Sequence, residues 1–483
     1  MSSAIENTAL ALRLAAMQDL GGHDADILKA FGHYLVTAPD EDLFRLSPLR
    51  YAQVHEITQR QAIDLFLYAT HAGILEANWG VVCPTCYAFV NTPGGLHAIT
   101  SHSYCHLCDL EFDVSVDENV EVAFTVAPAA RKIRFHDIEA LDFQRDWITW
   151  SYSSSRYYDK ELRDIFQKLV EASSVLKPHD SITLTPNLSR GTRYHAVTPS
   201  RHAFAHIIIA PDAETREVTF EIFDGRIVPD QVTLKPGAVT LHFVNRSESR
   251  LAVGVVLDGR TGYPELTTQE VERVKEFFNS KPTYLTAKQV ATSQVFREQF
   301  RAESIPSQLG LAFKSVTFLF SDLKGSTALY QRVGDIRAYE IVREHFTLLR
   351  DIIAEFGGAV VKTMGDAVMA SFADPMSALE AAIVISREIA RVPSDEALIL
   401  KIGVHMGSCI AVESNERLDY FGQTVNLAAR VQSIAAAGEI VVTQPIYESP
   451  GAMDLLRSMR LTPTPDSVYL RGIDGITPVY RLS

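Results

Sequence analysis

The sequence has few cysteines and tryptophans, and its basic residues are outnumbered by acidic ones. Its 483 residues include 5 cysteines and 3 tryptophans, and 59 acidic against 45 basic side chains give a net charge of -14. An acidic balance of this kind opposes non-specific binding to phosphate backbones and to anionic membrane surfaces. We therefore predict that nucleic acid is not a partner.

The chain also lacks a long apolar segment. No stretch approaches the roughly 20 uninterrupted apolar residues that a membrane-spanning helix needs, so no membrane span is predicted. The N-terminal residues "MSSAIENTALALRLAAMQDL" have no basic lead followed by an apolar block, which is the pattern of a secretory signal. We expect a cytoplasmic protein.

The length predicts several domains, because one core rarely serves more than about 250 residues. With 47% hydrophobic and 22% charged residues, the composition is that of a globular protein. The predicted order of modules is a helical module at 1–80, a zinc-ribbon-like element at 81–117, a β-sandwich regulatory domain at 118–262, a helical connector at 263–310 and an α/β domain at 311–483.

Four of the cysteines lie in one short segment, "CPTCYAFVNTPGGLHAITSHSYCHLC". They form two Cys-x2-Cys pairs separated by 18 residues, a spacing typical of tetrahedral zinc sites. Four thiolates leave no open coordination position, so we predict a structural zinc ion. A redox dithiol and unligated thiols are the alternatives, and nearby histidines could substitute as ligands. The residues concerned are Cys83, Cys86, Cys105 and Cys108, with His97, His102 and His106 nearby.

The segment from 118 to 262 alternates short strands with turns. Runs such as "VEVAFTV", "AHIIIAP" and "EVTFEIF" predict a β-sandwich, with a helical insert near 140–175. The phrase "LKPGAVTLHFVNRS" resembles the small sandwiches of cupredoxin type. Because this block has no cysteine, the resemblance concerns the fold alone and favours a regulatory role over copper chemistry.

The connector at 263–310 is predicted to form two helical pieces that are split near Lys281 and Pro282. Thr267 or Thr268 is a suitable N-cap for the first piece. After the connector, "KSVTFLFSDLKGST" begins with an apolar strand that ends near Asp322. A carboxylate beside a Gly-Ser-Thr helix start can hold a hard cation, while free backbone N–H groups face phosphate oxygens. Asp322 as a simple helix cap is the alternative.

The stretch "VVKTMGDAVMASF" places a lysine inside an apolar run and an aspartate at a hairpin tip. Buried charges are costly unless they are paired, so partners are expected elsewhere in the chain. Asp366 would supply a second carboxylate beside Asp322 for Mg²⁺. In "RLDYFGQTVNLAARVQ", Asn426 and Arg430 are four residues apart and share one face of a predicted helix. A surface helix with a solvated arginine is the alternative.

Together, "FSDLKGST", "VVKTMGDAVMASF" and "LDYFGQTVNLAARV" resemble the class III nucleotidyl cyclase catalytic domain over about residues 313–483. The resemblance implies a ferredoxin-like α/β fold and a homodimer that shares two active sites between its subunits. It also implies the roles of individual residues. Asp322 and Asp366, with the Leu323 carbonyl, would bind two Mg²⁺ or Mn²⁺ ions; Lys362 and Asp419 would contact the purine; Asn426 would orient the ribose; Arg430 would stabilise the α-phosphate; and Arg471 would contact the polyphosphate. The helix start at Gly325, Ser326 and Thr327 is expected to contact the substrate through its free backbone N–H groups.

The expected substrate is ATP, and the expected products are 3′,5′-cyclic AMP and pyrophosphate. Adenine offers an acceptor at N1 and a donor at its amine, which suit a lysine donor and an aspartate acceptor, whereas guanine would leave Lys362 facing a donor. A guanylyl or relaxed-specificity cyclase and a catalytically silent nucleotide sensor are the alternatives. The upstream modules resemble the zinc-containing N-terminal region of some soluble bacterial cyclases, which implies regulation by an unknown ligand or protein.

Overall fold

The computed structural model describes residues 2–20, 24–156, 159–258, 266–300, 311–391, 398–414 and 417–482. The chain forms two compact units. The first unit comprises residues 1–114 and 118–286, and the second comprises 115–117 and 287–483. The predicted connector at 263–310 is therefore divided between the two units.

The first unit begins with four helices. Asp24 caps the second of them by accepting a hydrogen bond from the backbone N–H of Asp26 at 2.8 Å. Thr58 and Gln61 form a capping box at the start of the fourth, which satisfies N–H groups that lack partners inside the helix. The helices are α1 (Ser2–Leu20), α2 (Ala25–Thr37), α3 (Pro48–Val54) and α4 (Gln59–His71).

The helical module predicted at 1–80 ends earlier than expected, after α4. The helix ends at His71, Gly73 adopts a positive φ of 70°, and strand β1 (Leu75–Val82) follows. β1 pairs with β2 (Phe89–Asn91) and β5 (Val120–Val126). The segment "VEVAFTV" therefore belongs to this three-stranded sheet and not to the sheets that follow. A short apolar run does not distinguish a helix from a buried strand by its period alone.

The first unit has two larger sheets, one of five strands ordered β13-β10-β9-β16-β6 and one of four ordered β12-β11-β15-β7. Two small sheets, β14-β8 and β3-β4, have two strands each. Phe220 and Phe243 from the four-stranded sheet share a hydrophobic core with Ile207 and Val255 from the five-stranded one. The remaining strands are β3 (His102–Cys105), β4 (Leu110–Asp113), β6 (Val170–Leu176), β7 (Ser181–Leu184), β8 (Asn187–Leu188), β9 (Arg193–Thr198), β10 (Ala203–Ile209), β11 (Glu217–Phe223), β12 (Arg226–Val228), β13 (Gln231–Leu234), β14 (Gly237–Ala238), β15 (Thr240–Asn245) and β16 (Leu251–Leu257).

Three more helices belong to the first unit. Two of them, α5 (Phe143–Ser151) and α6 (Lys160–Lys168), form the predicted helical insert. The third, α7 (Thr268–Asn279), is capped by Thr267, which forms a capping box with Glu270. The structure thus confirms Thr267 as the N-cap, and α7 ends before Pro282, as the sequence predicts.

The second unit is built on one sheet ordered β18-β19-β17-β20-β22-β24-β23, with β21 paired to β20. Its strands are β17 (Leu311–Leu323), β18 (Gly358–Met364), β19 (Ala367–Phe372), β20 (Leu400–Ser414), β21 (Arg417–Phe421), β22 (Ile440–Thr443), β23 (Thr464–Tyr469) and β24 (Ile476–Leu482). Its helices are α8 (Ala287–Ala291), α9 (Gln294–Gln299), α10 (Ser326–Val333), α11 (Asp335–Glu355), α12 (Pro375–Ala390), α13 (Gln423–Ser433), α14 (Gln444–Tyr447) and α15 (Ala452–Ser458).

Helices cover both faces of this sheet. In β22, Val442 lies in the core with α11 and α12, while its neighbour Val441 packs with residues of α13 on the other face, as the alternation of side chains along a strand requires. Gly403 lets α13 lie close to β20, because a Cβ there would lie 2.2 Å from the backbone nitrogen of Gln432. These contacts fix the position of α13 on the sheet.

Among the described residues, no helix combines the length and the hydropathy needed to cross a bilayer.

Candidate functional site

The two predicted metal-binding carboxylates lie on neighbouring strands of the second unit. Asp322 is the penultimate residue of β17, and Asp366 is at the turn that joins β18 to β19. The turn is possible because Gly365 adopts a φ of 66°. Because β17 pairs with β19, with Ser321 opposite Val368, the strand end and the hairpin tip lie at the same edge of the sheet.

The electrostatics of Asp322 show that the two carboxylates interact. Burial raises the pKa of Asp322, and the negative charge of Asp366 raises that pKa further. Lys401, the backbone N–H of Leu323 and the side chain of Gln432 act in the opposite direction. A half-buried carboxylate that is repelled by a second one is a suitable ligand for a hard divalent cation, which prefers oxygen ligands. The residues present therefore fit Mg²⁺ or Mn²⁺.

The loop after Asp322 turns directly into a helix. Gly325 has a φ of 78° and precedes α10, which begins at Ser326. The side chains of Ser326 and Thr327 lie outside the part of the chain that the structure describes. The backbone arrangement, a strand end followed by a tight turn and a helix start, is the one that the sequence predicts for this loop.

The predicted purine-contacting residues form an ion pair. Lys362 lies on β18 and Asp419 on β21, and the Lys362 Nζ donates to the Asp419 Oδ2 at 2.6 Å. The carboxylate is 12% exposed and the lysine is 40% exposed. The lysine in the apolar run "VVKTM" thus has an acidic partner, although it is not itself buried, and its exposed part can be reached by a ligand.

Asn426 and Arg430 lie on the exposed face of α13, whereas Ala428 and Val431 are buried against the sheet. The shared face is the one that their spacing of four residues predicts. Exposure also explains why an amide is tolerated in the apolar context "TVNLAARV". Arg471 is exposed in the turn between β23 and β24.

Sequence reasoning missed a basic residue beside the Lys362–Asp419 pair. Arg297, on α9, donates to the backbone carbonyls of Val361, at 3.5 Å, and of Leu418. These carbonyls immediately precede Lys362 and Asp419 in the chain. No short motif marks Arg297, because its partners are backbone atoms more than 60 residues away.

A neighbouring contact on α9 was missed for the same reason. The side chain of Gln294 accepts a hydrogen bond from the backbone N–H of Val360 at 2.8 Å. Gln294 and Arg297 therefore both tie α9 to β18, which carries Lys362. Lys401 and Gln432, which act on Asp322, were also missed. Gln432 is the last residue of the quoted segment "RLDYFGQTVNLAARVQ", whereas Lys401 lies in no motif.

The four clustered cysteines of the first unit come together. Their Sγ atoms all lie within 4.8 Å of one another, and those of Cys86 and Cys105 are 3.8 Å apart. A tetrahedron with Zn–S bonds of about 2.3 Å has edges of about 3.8 Å, so the donor set and its spacing fit zinc. Cys83 and Cys105 are buried, while Cys86 and Cys108 are half-buried.

Comparison with known proteins places most of the chain in one family. Residues 11–298 match the family described as "Family of unknown function (DUF5939)". The chain belongs to this family. Residues 311–477 match the family described as "Adenylate and Guanylate cyclase catalytic domain", so this member of the family carries a C-terminal class III cyclase catalytic domain.

Curated relatives match the same C-terminal region. A receptor-type adenylate cyclase of Trypanosoma congolense is 29% identical over 209 residues, which cover 35% of this chain and 28% of the relative. An adenylate cyclase of Streptomyces coelicolor is 35% identical over 124 residues, which cover 26% of this chain and 31% of the relative. The chain thus spans less than a third of the length of either protein.

Solved structures also align with this region. The adenylyl cyclase CyaB from P. aeruginosa is 22% identical, with a TM-score of 0.31 and coverage of 35% of this chain and 94% of that one. The guanylate cyclase domain of RhGC from Catenaria anguillulae is 21% identical, with a TM-score of 0.32 and coverage of 36% and 97%.

Proposed function

We propose that this protein is an adenylyl cyclase that converts ATP to 3′,5′-cyclic AMP and pyrophosphate, and that its N-terminal unit regulates the reaction. The observation that carries the choice of ATP is the Lys362–Asp419 pair, whose atoms are 2.6 Å apart. This pair presents one donor and one acceptor side by side. Adenine complements it with an acceptor at N1 and a donor at the exocyclic amine.

Guanine complements the pair less well. Its N1–H and its amine are both donors, so Lys362 would face a donor without a partner. Leaving a polar group unpaired in a binding site costs roughly 1–3 kcal/mol, and more for a charged group. ATP is therefore favoured over GTP by at least about fivefold.

In the proposed reaction, the ribose 3′-oxygen attacks the α-phosphorus, and the bond to the bridging oxygen of pyrophosphate breaks. Asp322 and Asp366, with the Leu323 carbonyl, would hold the divalent cations, and these would supply positive charge that lowers the pKa of the 3′-hydroxyl and neutralises the triphosphate. Asn426 orients the ribose. Arg430 donates to the α-phosphate as negative charge develops there.

Other residues are assigned to holding the polyphosphate. The backbone around Gly325 and the start of α10 at Ser326 and Thr327 present N–H groups, which suit phosphate oxygens. Arg471 is proposed as a further phosphate contact because it is exposed and permanently charged.

We also propose that the enzyme is a homodimer in which each site takes residues from both subunits. The exposure of Asn426 and Arg430 on α13 supports this arrangement, since side chains that complete a site on a partner must face outwards. A twofold axis would make both sites equivalent.

The direct test supplies purified full-length protein with ATP or GTP in parallel, in Mg²⁺ and in Mn²⁺. It measures cyclic AMP formed from ATP and cyclic GMP formed from GTP. We expect cyclic AMP to dominate and to fall at least about 100-fold in Asp366→Asn, which keeps the shape but removes the charge that holds the cation. Equal turnover of GTP would favour the relaxed-specificity alternative. Bound nucleotide without product would favour a silent sensor.

A mixing experiment tests the shared sites. Asp366→Asn and Arg430→Ala should each be inactive alone, because each lacks one essential half of every site. Mixed and allowed to exchange subunits, they should regain activity, because one of the two sites in a heterodimer then has both residues intact. Absence of recovery in a mixture shown to contain heterodimers would place each site within one chain.

A further inference from the structure

The first unit contains a cavity of about 250 Å³ beside the four-cysteine cluster. Its wall is formed by the cysteine element at Cys86 and Cys108, by strands β9, β10 and β16, and by helices α5 and α7. Enclosed, largely apolar pockets with a few convergent polar groups are the usual form of small-molecule sites.

Much of the wall is aromatic. Trp147, Tyr152, Phe204 and Phe278 all line the cavity, and the rings of Tyr152 and Phe278 have centroids 5.4 Å apart at an interplanar angle of 65°. Rings in such arrangements offer both faces and edges to a planar guest, and the half-buried sulfur atoms of the cysteines add polarisable surface. The walls therefore favour a flat, unsaturated ligand.

One polar pair lies in the wall. The His195 Nε2 and the Asp258 Oδ2 are 3.3 Å apart, and the two residues are only 5% and 3% exposed. A buried pair of this kind carries two charges only when His195 is protonated, and its desolvation makes it a weak source of stability. The pair does place hydrogen-bonding atoms at the cavity wall, and a purely apolar ligand would leave them unused.

The charges around the cavity discriminate against ionised guests. Asp258 is already paired with His195, and Lys275, whose side chain is 49% exposed, is paired with Glu272 at 2.7 Å, so neither neutralises a cationic or an anionic guest. Burying an unpaired ion is costly in either case. A neutral guest with one donor and one acceptor escapes both penalties.

The cavity also contacts the last turn of α7. Arg156 fastens that turn by donating to the backbone carbonyls of Phe277, of Phe278 at 3.2 Å and of Ser280 at 3.0 Å. In the chain, α7 leads through residues 280–286 to α8, the first helix of the second unit. A guest that touches Phe278 thus touches the segment from which the chain passes between the units.

We propose that this cavity is a binding site for a small, neutral, planar heteroaromatic molecule whose N–H and ring nitrogen meet the His195–Asp258 pair. Binding at this site is independent of the proposed cyclase activity. Its consequence, a change in turnover transmitted through α7, rests on that proposed function.

The test titrates full-length, zinc-loaded protein with benzimidazole, indazole and 7-azaindole, using calorimetry and ligand-observed NMR. Benzoate and benzylamine are the anionic and cationic probes of similar size. We expect saturable binding of at least one neutral probe and at least about tenfold weaker binding of both charged ones, which corresponds to about 1.4 kcal/mol. No saturable binding by any neutral probe would overturn the proposal.

Variants locate the bound probe. Val197→Phe adds a ring to a cavity-lining residue of β9 and should weaken binding at least about tenfold, whereas Val175→Phe adds the same ring at a position of β6 that is 39% exposed and should leave binding unchanged. Equal binding by Val197→Phe and the parent protein would place the probe elsewhere. If Val197→Phe fails to fold, Asp258→Asn keeps the cavity shape and should remove the preference for heteroaromatic over charged probes.

The two proposals fail separately. Probe binding that is sensitive to Val197→Phe in a protein that makes no cyclic nucleotide would retain the binding site and reject the cyclase function. Cyclase activity without probe binding would retain the cyclase function and reject the binding site.

Discussion

At the scale of single residues, one contact explains why a lysine occurs within an apolar segment of the sequence. Lys362 interrupts an apolar run of β18, and its ammonium group donates a hydrogen bond to the carboxylate of Asp419, 57 residues later. The pairing joins two strands that are not neighbours in the sheet order. A residue that looks misplaced in the sequence is therefore half of a pair with a donor and an acceptor at the protein surface.

Substitution of this lysine tests the proposed base recognition. Lys362→Glu should lower turnover of ATP and raise the GTP-to-ATP ratio of kcat/KM by at least about tenfold, because two carboxylates suit the two donors of guanine. The measurement is steady-state kinetics with both nucleotides. Lys362→Met, similar in length but without a donor, is the control and should lower ATP turnover without favouring GTP; an unchanged ratio in Lys362→Glu would contradict the assignment.

A second residue-scale prediction concerns pH. Burial, together with the charges of Arg45 and Arg201, lowers the pKa of His202 to about 3. The unfolded chain binds a proton at His202 near pH 6.5, whereas the folded unit does not. The free energy of unfolding is therefore unaffected by His202 above about pH 6.5 and falls as the pH is lowered from there towards about 3.

The expected cost is about 1.4 kcal/mol for each pH unit below 6.5, or about 2 kcal/mol at pH 5. His202→Asn is the test, since asparagine tolerates the φ of 52° at this position. Denaturant unfolding of the first unit between about pH 7 and pH 5 should show a shallower loss of stability in the variant. Parallel pH profiles would show that His202 does not carry the effect.

At the scale of elements, short helices and strand ends position the candidate site. Helix α13 lies close to β20 because Gly403 leaves room for its backbone, and this closeness leaves Asn426 and Arg430 on the outward face. Helix α9 is fixed to β18, the strand of Lys362, through Gln294 and Arg297. The family that covers residues 11–298 thus includes residues that contact the sheet of the second unit.

Arg297 gives the element-scale prediction. One nitrogen of its guanidinium, Nη2, donates to both carbonyls that precede Lys362 and Asp419. The two hydrogens of Nη2 are held in the guanidinium plane, whereas the donors of a lysine ammonium rotate on a flexible stem. Arg297→Lys should raise the KM for ATP about 3- to 10-fold, the equivalent of one hydrogen bond of 0.5–1.5 kcal/mol, with little change in the dependence on Mg²⁺. Steady-state kinetics and a thermal unfolding curve, measured together, separate positioning from lost stability.

The control for Arg297 is an arginine of the same unit that makes only a surface contact. Arg457→Gln removes an ion pair to Asp454 in which both side chains are more than 70% exposed, and such pairs contribute little to stability. Its KM should match that of the parent protein. A parallel change in Arg457→Gln and Arg297→Lys would show that loss of any arginine has this effect.

At the scale of the whole molecule, the two units have separate hydrophobic cores and only the first contains the cysteine cluster. Structural zinc contributes directly to folding free energy in small metal-binding elements. The two units are therefore expected to respond differently to loss of metal.

Chelation with a reductant present should lower the unfolding temperature of the first unit by at least about 10 °C. Loss of zinc removes several kcal/mol of folding free energy, and each kcal/mol lowers the unfolding temperature by about 2–4 °C. The transition of the second unit should stay in place. Cys86→Ser should reproduce the effect, and Cys409→Ser, a buried cysteine of β20 outside the cluster, is the matched control. Scanning calorimetry with zinc analysis makes the measurement; an unshifted first transition in zinc-free protein would contradict a structural role.

The sequence by itself determined features whose signal is local. The cysteine spacing, the Thr267 cap, the hairpin tip at Asp366 and the shared face of Asn426 and Arg430 all depend on residues a few positions apart, which backbone geometry brings together in any fold. The motifs around Asp322 and Asp419 could also be recognised from the sequence, because each motif is continuous in the chain.

Only the tertiary structure decided what depends on long-range contacts. It paired β5 with β1, it placed Arg297 on carbonyls of two distant strands, and it brought His195 and Asp258 together in the wall of one cavity. These features rest on pairing and packing between segments far apart in the chain, and short apolar runs and single arginines are compatible with many such arrangements. The free energy that selects one arrangement comes from burial over the whole core, and no single segment of the sequence carries it.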